Sequence, residues 1–312
     1  MKKIACMFPG QGSQKVGMGK QLYEAYEEVR ELYKRANEVL DKDITSLMFE
    51  GPQEQLTETE NAQPALLLSS VAAYTLFEKE KITPSMVVGH SLGEYSALVV
   101  AGAIPVDEAL PLVQTRGRLM EQAYPKGKGT MAAVLGMKEE EIQPIVEQID
   151  DEIVDVANLN CPGQIVISGS KAGVDRASEL LKEAGARRVL PLNVSGPFHS
   201  RLMKEANKDF AKYLDETTIS NATIPVYANV TAKPVKQKEE IKQLLLEQLY
   251  SPVRFEQSIR NMIDQGIEAF VEVGTGSVLS GLVRKIDRSV KTFSVQDEKT
   301  FEKFLTWYKE DA

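Results

Sequence analysis

Short apolar runs of strand length alternate along this chain with longer stretches in which apolar residues recur every three or four positions. Lys3 to Phe8, a run beginning at Met86, Ile224 to Asn229, and the run opening at Ala269 read as strands. Between the first two, Leu22, Tyr26, Val29, Leu32, Tyr33, Ala36 and Leu40 recur at helical spacing. A second helix covers 61–78, with Pro64 expected in its first turn, where the missing N–H costs nothing. A third covers 107–123, with Ala109, Leu112, Val113 and Leu119 on one face. Further helices are expected over about 201–214, 239–248 and 255–264. Strands alternating with helices predict a mostly parallel sheet in a three-layer α/β domain.

The pattern changes after Gly127-Lys128-Gly129. Strand 130–136, helix 138–149, strands 153–158 and 164–168, helix 171–184 and strand 187–194 follow in the order β-α-β-β-α-β. That order is the ferredoxin-like split motif. The chain is therefore expected to divide into a larger domain, 1–126 with 196–312, and an inserted small subdomain, 127–195.

Composition narrows the class. The 312 residues are 43% hydrophobic and 26% charged, ordinary values for a globular protein. No apolar run approaches the roughly 18 residues of a membrane helix, and Pro9-Gly10 cuts short any signal-peptide reading of the N-terminus. A net charge of −8 argues against general nucleic-acid binding. Cys6 and Cys161 belong to no metal-ligand spacing, so no metal site and a reducing, cytoplasmic setting are expected. With no heptad pattern, a monomer is the default.

Candidate chemistry centres on Gly89-His90-Ser91-Leu92-Gly93, which follows a buried strand and precedes a helix opening with Glu94. G-x-S-x-G in that context is a nucleophile elbow, a sharp turn that lifts a serine hydroxyl clear of the sheet. Without its context the pattern is an ordinary Gly/Ser turn. A serine needs a base within hydrogen-bond reach, and the chain holds only His90 and His199. Strand alternation would turn His90 away from its neighbour, which makes it structural and leaves His199 as the base. No acidic third member stands out; Asp209, Asp264 and Glu272 are the weak candidates. The loop Pro9-Gly10-Gln11-Gly12 lacks the third glycine of a dinucleotide fingerprint, since Lys15 stands there. It is either a flexible connection or a loop whose N–H groups point into a site.

Taken together, several segments resemble one family. Phe8-Pro9-Gly10-Gln11-Gly12-Ser13-Gln14, Gly89-His90-Ser91-Leu92-Gly93-Glu94, Arg116-Gly117-Arg118, Asn158-Leu159-Asn160-Cys161-Pro162-Gly163-Gln164, Gly196-Pro197-Phe198-His199-Ser200, Gln248-Leu249-Tyr250-Ser251-Pro252-Val253 and Glu272-Val273-Gly274-Thr275-Gly276 are similar in order and spacing to malonyl-CoA:acyl carrier protein transacylases. The resemblance runs nearly end to end. It implies an α/β-hydrolase-like core with a ferredoxin-like insertion. It also implies a ping-pong transfer of malonyl from malonyl-CoA to acyl carrier protein through an ester on Ser91, with no cofactor of the enzyme's own. By the same resemblance, His199 is the base, Gln11 and Leu92 supply oxyanion N–H groups, and the Gln248 carbonyl orients His199. Arg116 would pair with the malonyl carboxylate, Phe198 would favour malonyl over branched substrates, and Asn160 would lie near the pocket mouth. Carrier docking would use a local basic surface, Lys182, Arg187 and Arg188 or Arg284, Lys285 and Arg288. Fatty-acid synthesis is the expected pathway. A polyketide acyltransferase, a serine thioesterase or esterase, and a non-catalytic assembly module are the competing readings.

Overall fold

The computed structural model describes residues 2–310. Ten strands form two sheets: β1 Ile4–Phe8, β2 Met86–Gly89, β3 Gly129–Leu135, β4 Val154–Cys161, β5 Gln164–Ser170, β6 Arg188–Pro191, β7 Val226–Tyr227, β8 Pro234–Val235, β9 Ala269–Val273 and β10 Lys291–Val295. The larger sheet runs β10-β9-β1-β2-β7-β8, parallel from β10 to β7, with β8 antiparallel at the edge. Its layering follows from the alternation of side chains along β1. Ile4, Cys6 and Phe8 join the apolar cluster that includes Leu66, Leu67 and Leu68, whereas Ala5 and Met7 join Phe255, Ile259 and Leu282 on the other face. All five β1 residues are buried, as expected of a parallel strand covered on both sides.

The smaller sheet runs β4-β5-β3-β6 with every neighbouring pair antiparallel, the pairing of a βαββαβ motif. It has its own core, in which Val134, Ile142, Val146, Ile167, Val174 and Leu181 meet. Backbone hydrogen bonds from Val253 N to Ala157 O (2.8 Å) and from Leu159 N to Val253 O (2.9 Å) join β4 to the segment just after Gln248. The Arg201–Asp155 pair at 2.8 Å joins it to the segment just after His199.

Several elements differ from expectation. The helix Thr59–Lys79 starts early enough to place Pro64 inside it rather than in its first turn. The predicted strand over 224–229 shrinks to β7, which frees Asn229 to turn inward, and β6 ends at Pro191. Strand β4 continues to Cys161 past register irregularities at Val156/Asn158 and Leu159/Cys161, so both asparagines are strand residues. The edge strands β8 and β10 and the final helix Glu298–Lys309 were not expected from periodicity.

Candidate active site

Strand β2 stops at Gly89, the chain reverses at Ser91 with φ 52°, and the helix Gly93–Val100 begins two residues later. Sterics impose glycine at both ends of this turn. A Cβ on Gly89 would lie 1.8 Å from the Gly93 carbonyl carbon, and one on Gly93 would lie 2.0 Å from Phe8 O. Asn229 clamps the turn, accepting from Ser91 N at 2.8 Å and donating to Gly89 O at 2.7 Å.

His199 also has a positive φ, 59°, and is 4% exposed. Its Nε2 lies 2.8 Å from Ser91 Oγ, and its Nδ1 lies 2.9 Å from Gln248 O. A carbonyl can only accept, so Nδ1 carries the proton and Nε2 presents a lone pair to the serine. Burial, then the neighbouring Arg116 cation, lowers the His199 pKa to about 3, so the imidazole is neutral at neutral pH. Among the described residues no acidic side chain is hydrogen-bonded to it. Asp209 pairs with Lys212 at the surface, Glu272 accepts from Leu279 N and Ser280 N, and Asp264 lies on the helix Phe255–Asp264 away from the cavity.

Arg116, on the helix Val106–Gln122, is 1% exposed and lies over the Tyr95 ring. Its guanidinium donates to Gln63 Oε1 (2.8 Å), Gln248 Oε1 (2.9 Å) and Ser91 Oγ (3.2 Å), while Nε has no partner. Among the described residues no carboxylate lies within ion-pair distance of it. A buried cation without a paired anion is poorly compensated and favours an incoming carboxylate. Burial lowers the Arg116 pKa from its ordinary value without making the group neutral.

Ser91, His199 and Arg116 line a cavity of about 160 Å³ together with Gln11, Leu92, Met120, Met131, Asn158, Leu192 and Phe198. Gly10 brings the first loop against the elbow, since a Cβ there would meet His90 O at 2.3 Å. Gln11 and Leu92 line the cavity with Ser91, and neither N–H is taken by a backbone partner. Asn160 does not line the cavity. Its Oδ1 lies 2.7 Å from His90 Nε2, so it reaches the site through that ring. The His90 ring turns to Asn160 and to the Phe255 ring at 5.7 Å, although the residue also borders the cavity. Its partner is Asn160, not Ser91 Oγ.

Periodicity did not reveal Glu94, Gln63, Asn229 or the Gln248 side chain. Glu94 is 2% exposed and its Oε2 accepts from Asn229 N (3.0 Å) and Gln248 Nε2 (2.7 Å), which turns Gln248 Oε1 toward Arg116. Burial raises the Glu94 pKa to about 7. A charged residue just inside an otherwise apolar helix was the one signal available for it.

A serine held by an imidazole beside a buried cation, at a nucleophile elbow, is the arrangement of an acyl transferase. The acyl transferase domain family matches residues 6–305. The malonyl CoA-acyl carrier protein transacylase of Bacillus subtilis is 51% identical over all of this chain and 99% of its own length. That of Staphylococcus aureus strain MRSA252 is 47% identical over both full lengths. The chain belongs to the malonyl CoA-acyl carrier protein transacylase family. Among solved structures, an acyl carrier protein S-malonyltransferase from Vibrio cholerae superposes with TM-score 0.95 at 43% identity, covering 97% of this chain and 100% of that one. A malonyl-transacylase in complex with its type II PKS acyl-carrier protein gives TM-score 0.95 at 39% identity, covering 98% and 99%.

Proposed function

We propose that this chain transfers malonyl from malonyl-CoA to the phosphopantetheine thiol of acyl carrier protein, through a malonyl ester on Ser91, for fatty-acid synthesis in the cytoplasm. The observation that carries the reading is the convergence on Ser91 Oγ of His199 Nε2 at 2.8 Å and the buried Arg116 guanidinium at 3.2 Å.

His199 removes the serine proton as Oγ attacks the thioester carbonyl. The oxyanion is held by the N–H groups of Gln11 and Leu92, and the thiolate of coenzyme A leaves with the proton returned by His199. The carrier thiol then repeats the sequence in reverse roles, giving ping-pong kinetics. Arg116 pairs with the malonyl carboxylate through its bidentate N–H geometry, and Phe198 narrows the cavity beside it. The chemistry requires no cofactor or metal, the pantetheine arm being carried by each substrate.

Among the described residues no helix is long and apolar enough to cross a membrane. Intact-mass measurement after incubation with malonyl-CoA should show a single malonyl adduct, lost in Ser91→Ala and discharged by pantetheinylated carrier protein. Release of free malonate as the main product would instead indicate a hydrolase.

A further inference from the structure

One buried carboxyl oxygen stands behind both the nucleophile and the cation. Glu94 lies in the first turn of the helix Gly93–Val100 that follows Ser91, and it is not among the residues lining the cavity. Its Oε2 takes two donors, Asn229 N at 3.0 Å and Gln248 Nε2 at 2.7 Å. The first leads to the elbow, because Asn229 Oδ1 holds Ser91 N. The second leads to Arg116. Gln248 Nε2 has two further acceptors, Ser91 O at 3.1 Å and Asn229 Oδ1 at 3.2 Å, both longer than the bond to Glu94. With its nitrogen held on that side, the amide presents Oε1 to Arg116 Nη2. The reverse orientation would set an NH2 group against a guanidinium, donor against donor.

What this does for Arg116 follows from its donors. Each terminal guanidinium nitrogen carries two N–H groups in one plane. Gln63 Oε1 holds one on Nη1 and Gln248 Oε1 holds one on Nη2, while the second on Nη2 reaches Ser91 Oγ. Two glutamine oxygens thus fix the plane of the fork beside the nucleophile. A carboxylate is bound bidentately only when its own plane matches that of the fork, whereas an uncharged acyl group makes no such demand. Building on the transacylase reading, we infer that Glu94 is a positioning residue for substrate selection: through the Gln248 amide it fixes the Arg116 plane that distinguishes malonyl from an uncharged acyl group. Glu94 itself touches no substrate atom.

The test follows acylation of Ser91 by malonyl-CoA and by acetyl-CoA through intact mass, and takes the ratio of the two rate constants. Glu94→Asp keeps a carboxyl but draws its oxygen back by one methylene, so the ratio should fall about tenfold, the worth of one buried hydrogen bond. Glu94→Gln keeps an acceptor at full reach and should hold the ratio within about twofold of wild type. Gln248→Met, which retains the main-chain carbonyl facing His199, should lower the ratio as far as Glu94→Asp does. Adding Glu94→Asp to it should lower the ratio no further, because the two residues act in series. Equal losses for both donors in Glu94→Asp would mean that the carboxyl only supports the elbow through Asn229, and would overturn the inference. So would a Glu94→Gln ratio as low as that of Glu94→Asp, or a Gln248→Met ratio equal to wild type. Each of these outcomes leaves the transacylase reading intact. Failure of malonyl-CoA to acylate wild-type Ser91 would sink that reading, and the inference with it.

Discussion

Arg116 and His199 share a dry pocket, and the charge on one sets the basicity of the other. Burial first, and then Arg116, depresses the protonated imidazole. A malonyl carboxylate seated on the guanidinium would relieve the second contribution, so the substrate itself strengthens its base. Arg116→Ala should then move the acid limb of the Ser91 acylation rate to higher pH, because removing the cation lets the imidazole protonate more easily. Pre-steady-state acylation across pH 4–8 would show this. The same variant should lose roughly 10- to 100-fold in kcat/KM for malonyl-CoA and little for acetyl-CoA. Equal losses for both would remove the carboxylate role. Glu94 carries a stability consequence of its own. Its carboxyl stays protonated in the fold up to about pH 7 but ionises near 4.5 when unfolded, so its contribution is complete below 4.5 and lost as pH rises through 7. His199 works in the opposite sense, contributing fully above 6.5 and losing that stability as pH falls toward 3. Urea unfolding of Glu94→Gln should therefore show its stability relative to wild type increasing from pH 5 to pH 8.

At the level of elements, the site is a meeting of four strand-to-helix turns and loops rather than one motif. In the proposed mechanism the Pro9–Gly12 loop supplies an N–H, the elbow the nucleophile and the 196–200 loop the base, whose Nδ1 lies against a carbonyl at the C-terminal end of the helix Lys238–Gln248. Close approach of the first two depends on Gly10. A methyl group there meets backbone, not a flexible side chain, so the loop must shift. Gly10→Ala should lower kcat for malonyl transfer by about 100-fold, the effect of losing one oxyanion donor, with a smaller change in KM. Steady-state kinetics with malonyl-CoA would check it. The pairing of Gly10, Gly89 and Gly93 with their neighbours was readable only as motif, since the contacting carbonyls come from other segments.

Across the whole molecule, the two sheets meet where the chemistry lies, and the basic residues expected to face the carrier come from both. Gly136 N bonds Gly163 O (2.9 Å) next to Arg187, and Lys285 Nζ reaches Gln164 Oε1 (3.3 Å) in the same turn. Arg187 and Lys285, one from each group, thus both lie near the β4–β5 turn. In a chain of net charge −8, this local surface offers complementarity to an acidic partner. Lys285→Glu should raise KM for carrier protein several-fold at low ionic strength, and the difference should shrink in concentrated salt, where surface charges are screened. A KM unchanged at low salt would place docking elsewhere.

Sequence alone determined the order of strands and helices, the split motif, the elbow and its serine, because these rest on local periodicity and on glycines at fixed spacing. It also reduced the base to two histidines by scarcity. Alternation pointed His90 away from Ser91 Oγ, and its ring meets Asn160 and Phe255. Only tertiary structure decided that Gln248 turns its side chain to Arg116 and its carbonyl to His199, that Asn229 clamps the elbow, and that Glu94 is buried behind both. These residues act across 19 to 157 positions of chain. Distances of that kind have no period to be read: hydrogen bonds among buried polar groups are set by packing, and packing exists only once the chain has folded.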